Sequence, residues 1–287
     1  MAATITTGRT SASAPGRDPF PARAGRAAGA VLLRVAAPIV LIVLWEVAAV
    51  GADSLWFPPP SEIAARMHEL WLSGGFPSIF TPAVATDVLP SLGRMLAGWA
   101  LAGVVGVAFG IAIGRSRVLS QTVEPTVHFL RSTPGPALLP IFLILLGTDS
   151  TMRVALIAFA SMWPILLNTI DGVRAVDPTQ LETARVFGIP RWSRITRIVL
   201  PSAMPKIFAG LTIALAVSLT LMVVSELSVA TDGIGYQIQR ATQLYAMTDM
   251  WAGIVLIALL GIVLNALFNL VERRVLRWYR GARRHND

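Results

Sequence analysis

With 287 residues, 54% of them hydrophobic, only 14% charged and a mean hydropathy of +0.65, the chain carries more apolar surface than a water-soluble domain can hide. A net charge of +8 would suit a nucleic-acid binder in a soluble protein, but here the cations border long apolar runs, where they set topology beside anionic lipid; nucleic acid is excluded. The lack of cysteine excludes disulfides and thiol chemistry, and three scattered histidines (His68, His128, His285) imply no metal site.

Residues 1–30, rich in Ala, Gly, Arg, Ser, Thr and Pro without apolar periodicity, read as a disordered cytoplasmic arm. Six stretches then reach the roughly 20 residues that cross a bilayer core of about 30 Å. They lie near Val31–Val50, Val88–Gly114, Val123–Gly147, Met152–Ile170, Ile207–Ala230 and Met250–Val271. The first is long enough to be retained rather than cleaved as a signal, and Glu46 reads as an interfacial residue at its outer end.

In the second span Gly98, Ala102, Gly106, Gly110 and Gly114 fall at every fourth position and form one smooth stripe. That stripe suits close packing inside the bundle, with a subunit interface as the sharper alternative. Pro125, Pro134, Pro136 and Pro140 should break the third span and require it to be enclosed by protein. Pro164, beside Trp163, should bend the fourth. In the fifth span Ser218, Ser225 and Glu226 are the translocation-path candidates, because an intramembrane carboxylate is costly unless paired or wet. A hydrogen-bonded strut is the competing reading for Glu226. Asn168, Asn265 and Asn269 suit helix–helix bonds as well as contact with a solute.

Orientation follows from the 24 basic residues. Five sit at or before the first span (Arg9, Arg17, Arg23, Arg26, Arg34), two between the second and third (Arg115, Arg117), six in the long loop and six after Glu272. The opposite loops hold only Arg66, Arg153 and Arg240, against acids including Asp53, Glu62, Glu69, Asp87, Asp149, Asp232 and Asp249. Both termini are thus expected in the cytoplasm, with 273–287 a basic tail. Arg94 and Arg131 fall within spans, near ends from which they can snorkel to the surface.

The long polar loop at 171–206 has its own architecture. Asp177 should cap a helix with Pro178 in its first turn, Gly188 should end it with positive φ, and Pro190 prevents its continuation. A second helix over Pro190–Val199 should be separated from the next span by Pro201 and Pro205. Arg185, Arg191, Arg194 and Arg197 decorate this hairpin, leaving Val186, Phe187, Ile189, Trp192, Ile195 and Ile198 to pack or dock.

The pattern Glu182-Thr183-Ala184, three residues, Gly188, nine residues, then Ile198-Val199-Leu200-Pro201 resembles the EAA loop of ABC-importer permeases, with Thr183 in place of the usual first alanine. Leu130-Arg131-Ser132-Thr133-Pro134, Leu138-Leu139-Pro140 and Leu146-Gly147, with Ser225-Glu226 and Asp232-Gly233-Ile234-Gly235-Tyr236, are similar to the nitrate/sulfonate/taurine permease family. That family also includes bicarbonate and thiamine-precursor permeases. The resemblance covers nearly everything after residue 35.

It implies an all-α membrane protein with six transmembrane helices in the type I ABC-importer permease fold, residues 31–272, in the bacterial inner membrane. It further implies a homodimer of permease subunits, a dimer of ATP-binding cassette subunits docked on the loop, and a periplasmic or lipid-anchored substrate-binding protein. The implied coupling residues are Glu182, Thr183, Ala184, Arg185, Gly188 and Pro201. The solute would be a small anion: an aliphatic sulfonate, taurine or nitrate.

A phosphate-binding loop needs Gly-Lys-Ser/Thr. The only lysine, Lys206, lies between Pro205 and Ile207, so the chain is expected to bind no cofactor, with ATP on the partner, and to have no catalytic residues. The rival reading from another class is an ion-gradient-driven carrier using Glu226. Within the ABC class the alternative is a pyrimidine importer.

Overall fold

The computed structural model describes residues 20–75 and 78–279, and every regular element among them is helical. The described residues divide into two compact units, one up to Pro60 and one from Ser61 onward. The first holds helix α1 (Phe20–Ala52), whose stretch from Ala36 to Ala52 is apolar, and an outgoing turn where Trp45 stacks on Phe57 with ring centroids 5.6 Å apart. The arm expected over 1–30 lies outside the described residues up to position 19, and from Phe20 the backbone is already helical.

The second unit begins with α2 (Pro60–Met67) and is built on α3 (Leu89–Arg115), α6 (Ser150–Arg174) and α9 (Leu200–Val229), packed together, with α11 (Met247–Val275) alongside. Among the described residues four helical stretches are long and apolar enough to cross a membrane: 84–115, 150–174, 191–229 and 247–275. A fifth is the broken pair α4 (Arg117–Ser132) and α5 (Leu139–Leu146), whose two arms, the second including the short Gly135–Leu138 turn, bend by 91°. Large apolar side chains such as Val104, Phe109, Ile144, Leu145, Ile262 and Leu270 stand exposed around this unit, as a lipid-facing surface requires.

The small-residue stripe explains how α3 and α6 meet. A Cβ added to Gly98 would lie 2.6 Å from Ile157, one on Gly106 3.0 Å from Ile165, one on Gly110 2.5 Å from Thr169 and one on Gly114 3.0 Å from Val173. Contacts of 3.0 Å or less leave little or no room for a side chain, so the stripe is spent on packing within the chain. The subunit-interface alternative is thereby corrected. Trp99 then ties α3 to α9, its indole N–H donating to the Leu211 carbonyl at 3.1 Å.

The prolines of the third span break it at one place only. Pro125 sits inside α4, whereas the Thr133–Pro134 step, extended at both residues, turns the chain. The enclosure expected there is not what this chain provides by itself, because Phe129, Ile141, Ile144 and Leu145 are exposed. Pro164 lies within a continuous α6, and the Asn168 amide donates to its carbonyl at 2.8 Å rather than across to another helix.

One expectation fails at the loop. Pro201 and Pro205 do not separate the second loop helix from the fifth span; α8 (Arg191–Arg194) runs into it as one 39-residue stretch, Arg191–Val229. The reason is a widened π turn over Ile195–Val199, in which the Leu200 N–H reaches back to the Ile195 carbonyl. Widening the ladder just before Pro201 lets the ring enter without the usual clash four residues back.

Candidate functional site

Of the coupling candidates, Glu182, Thr183, Ala184 and Arg185 lie on α7 (Pro178–Val186) and Gly188 just beyond it, and both ends of that helix are fixed by local chemistry. The Asp177 carboxylate accepts the Thr179 N–H at 2.8 Å. At the other end Gly188 adopts φ +65°, the Gly188 N–H donates to the Arg185 carbonyl and the Ile189 N–H to the Ala184 carbonyl, both at 3.0 Å. That pair of bonds is the Schellman arrangement, which satisfies the last carbonyls and needs a left-handed residue at Gly188.

Leu181 and buried Ala184 face inward; Leu181 packs on a cluster of Val173, Val176, Val199, Ala203 and Ile207 that joins the ends of α6 and α9. Outward stand Glu182, Thr183, Arg185 and Gly188, with Val186 84%, Phe187 78% and Trp192 73% exposed. A short helix seated on the ends of two long helices thus presents large apolar groups beside charges. Pro201 is the second residue of α9, half-buried.

The path candidates separate from one another. Ser218 and Ser225 are fully buried and donate within their own helix, to the Leu215 and Met222 carbonyls at 2.8 and 2.9 Å. Glu226 is sealed in an ion cluster. The Ser91 hydroxyl lies 2.8 Å from both carboxylate oxygens, donating to them while accepting the Ile234 N–H. Arg94 Nη1 donates at 2.9 Å and the Gly235 N–H at 3.1 Å.

Arg94 also bonds Asp232, which in turn takes Arg153 at 3.1 Å; Asp87 accepts the Gly233 N–H at 3.1 Å. The Asp232-Gly233-Ile234-Gly235 run has a structural reason. Gly233 has φ +109°, and a Cβ there would meet the Glu226 carboxylate at 2.5 Å; one on Gly235 would meet Glu226 Cβ at 2.6 Å. The glycines bring the start of α10 (Ile234–Gln243) against the carboxylate, where helix N–H groups favour negative charge.

Two sequence-based placements are corrected here. Arg94 does not snorkel: it is 8% exposed and its charge is matched inside the protein. Arg153 and Asp87, counted as loop charges, are buried in the same cluster. Asp232, which lies outside the spans, is pushed up by its partial burial, but the hydrogen bonds from Arg153 and Arg94 prevail and hold its carboxyl below the usual range.

A site that sequence reasoning missed is a cleft of about 560 Å3 where the broken span meets α6 and α9. Phe159, Trp163, Ile213 and Leu221 supply its apolar wall, Thr133 and Thr220 its hydroxyls, and Arg131 its charge. Arg131 has no ion-pair partner among the described residues. The proline break was the sequence signal for this position; the participation of α9 through Ile213, Ala216, Val217 and Thr220 was not legible from spacing.

Residues 104–277 match the family described as binding-protein-dependent transport system inner membrane component. The chain is 31% identical to a Bacillus subtilis (strain 168) protein named as an aliphatic sulfonates transport permease, SsuC, covering 94% of each. It is 30% identical to the taurine transport system permease protein TauC of Escherichia coli (strain K12), over 84% of this chain and 87% of that one. A solved inward-facing structure of the MetNI methionine ABC transporter contains a chain with the same fold, at TM-score 0.57 and 21% identity, covering 66% of this chain and 94% of that one. A chain whose described residues form only helices, several of them apolar spans, and which carries this match belongs to the binding-protein-dependent transport system inner membrane components, the permease subunits of bacterial ABC importers.

Proposed function

We propose that the chain forms the translocation path of a binding-protein-dependent importer for a small anion carrying a sulfonate or similar oxyanion group. ATP hydrolysis on a partner subunit drives it through the α7 element. The observation that carries this reading is α7 itself: rigidly capped by Asp177 and Gly188, anchored by Leu181 on the ends of two long helices, and exposed through Phe187 and Trp192. A partner's ATP-driven closure on that surface would be transmitted to α6 and α9, which wall the cleft. Six spans with both termini cytoplasmic, a homodimer and an extracytoplasmic binding protein complete the assembly.

The solute class rests on the cleft and on the relatives. Arg131 offers an unmatched guanidinium beside hydroxyls and an apolar wall, which suits an anion with a short carbon chain. Glu226, an acid that would repel such a solute in the path, has its side chain 0% exposed and faces Arg94 rather than the cleft. The same sealing disfavours an ion-gradient carrier built on Glu226, since the carboxylate meets no aqueous path.

The test is reconstitution of the chain with its ATPase and binding protein in proteoliposomes. ATP-dependent uptake of an aliphatic sulfonate is expected, and Arg131→Gln should slow it roughly ten- to a hundredfold, the worth of a charged hydrogen bond of about 1.5–3 kcal/mol. Uptake unaffected by Arg131→Gln removes the anion-path reading; uptake by the chain alone, driven by an ion gradient, removes the importer reading.

A further inference from the structure

Several arginines of this fold, buried or not, have acidic partners. Arg66 pairs with Asp249 and Glu69, Arg94 with Glu226 and Asp232, Arg153 with Asp232, Arg174 with Glu124. Four arginines unpaired among the described residues, three of them exposed and Arg194 half-buried, share one place. Arg115, Arg185, Arg191 and Arg194 line a single cavity of about 520 Å3, floored by Ile195 and fully buried Val199. Among the described residues none of the four has an ion pair, and no carboxylate lines the cavity.

The four reach it from three elements: the last residue of α3, the last turn of α7, and both ends of α8. Converging like charges repel, and side chains as long as arginine on exposed helices can splay into water at little cost. Gathering them around one cavity is therefore an arrangement that an anion completes. Guanidinium forks bind tetrahedral phosphate oxygens through paired N–H groups, and a set of four exceeds what a single carboxylate needs.

Arg115 also fixes the depth. It is the final residue of the membrane-length stretch Val84–Arg115, so the cavity opens where a span leaves the bilayer and lipid phosphates lie. We infer that this cavity is a phosphate-binding site, joining the end of α3 to the α7–α8 loop, that takes either the headgroup of an anionic phospholipid or a free phosphate-bearing anion. Occupied, it ties the docking loop to the membrane-spanning body by charge-assisted bonds, so its ligand stiffens the element that the partner grips. The inference is independent of the solute and of Arg131.

The test compares the full-length chain with Arg115→Gln/Arg191→Gln/Arg194→Gln, and with Arg197→Gln/Arg273→Gln/Arg274→Gln, which removes equal charge from exposed positions that do not line the cavity. In phosphatidylcholine nanodiscs doped with phosphatidylglycerol, retained lipid is read by native mass spectrometry. In detergent free of anionic lipid, binding of inorganic phosphate and pyrophosphate is read by equilibrium dialysis. Retention of phosphatidylglycerol that falls at least tenfold in the first variant and not in the second assigns the headgroup; phosphate or pyrophosphate binding with the same pattern assigns the free anion. Equal retention in all three proteins, or no phosphate-bearing molecule bound by any, overturns the site. Should the triple glutamine variant fail to fold, Arg115→Lys/Arg191→Lys/Arg194→Lys keeps the charge, and Arg191→Gln alone, at an exposed position, provides the loss.

Discussion

Removing the positive partner of the buried carboxylate gives the sharpest energetic prediction. Arg94→Met leaves Glu226, with its side chain fully buried, holding only the Ser91 hydroxyl and the Gly235 N–H. Breaking a buried pair from one side costs about 3–5 kcal/mol, because the remaining charge is uncompensated. For a chain of this size that corresponds to a fall in melting temperature of roughly 6–20 °C. Glu226→Gln is milder, since Arg94 keeps Asp232 and the Ser150 hydroxyl at 3.1 Å, and should cost about 1–3 kcal/mol. The double variant should be less damaged than the sum of the two, with a coupling of about 1–3 kcal/mol. Thermal unfolding of the purified chain in detergent, followed by intrinsic tryptophan fluorescence and by loss of monodispersity, reads all three. If the effects simply add, the two groups do not stabilise one another as the geometry requires. If Glu226→Gln keeps its stability and assembly but abolishes uptake, Glu226 works on the solute path and the strut assignment is wrong.

Gly188→Leu places a side chain at φ +65°, costing about 1–2 kcal/mol of local strain, and should weaken ATPase association in pull-down assays while leaving the membrane-embedded fold intact. Gly110→Val, whose Cβ would sit 2.5 Å from Thr169, should force α3 from α6 and lower stability by about 1–3 kcal/mol, whereas Gly93→Ala on the open face of the same helix should be nearly neutral; thermal unfolding distinguishes them. Asp232 titrates below its ordinary range, so its contribution to stability is fully present above the unfolded carboxylate pKa. It is lost as pH falls through the depressed native value. Stability should therefore hold from neutrality to about pH 5 on this account and drop only in more acidic solution, and Asp232→Asn should flatten that acid slope.

Local signals were the legible ones. The α7 caps depend on Asp177, Pro178 and Gly188 within a dozen residues, and the sequence spacing carries all of that information. The small-residue stripe likewise announced close packing, although only the fold shows that α6 receives it. What stayed hidden was long-range pairing. Arg94 looked like a lone cation that must reach the surface because Glu226 lies 132 positions away, and Asp87 and Arg153 looked like loop charges for the same reason. The break at Pro201 and Pro205 failed for a different cause: a π turn immediately upstream absorbs the first proline, a geometry that single-residue propensities do not encode. The cleft beside Arg131 combines both difficulties, since its walls come from a proline break and from two helices far along the chain.

We propose α7 as the element through which ATP hydrolysis moves the spans. Its most direct test is uptake by proteoliposomes containing the chain, its ATPase and its binding protein, with Gly188→Leu beside the wild type. ATP-dependent solute accumulation is expected for the wild type and its loss in the variant, together with loss of ATPase association. Undiminished accumulation with Gly188→Leu, or accumulation without any ATPase present, would contradict it.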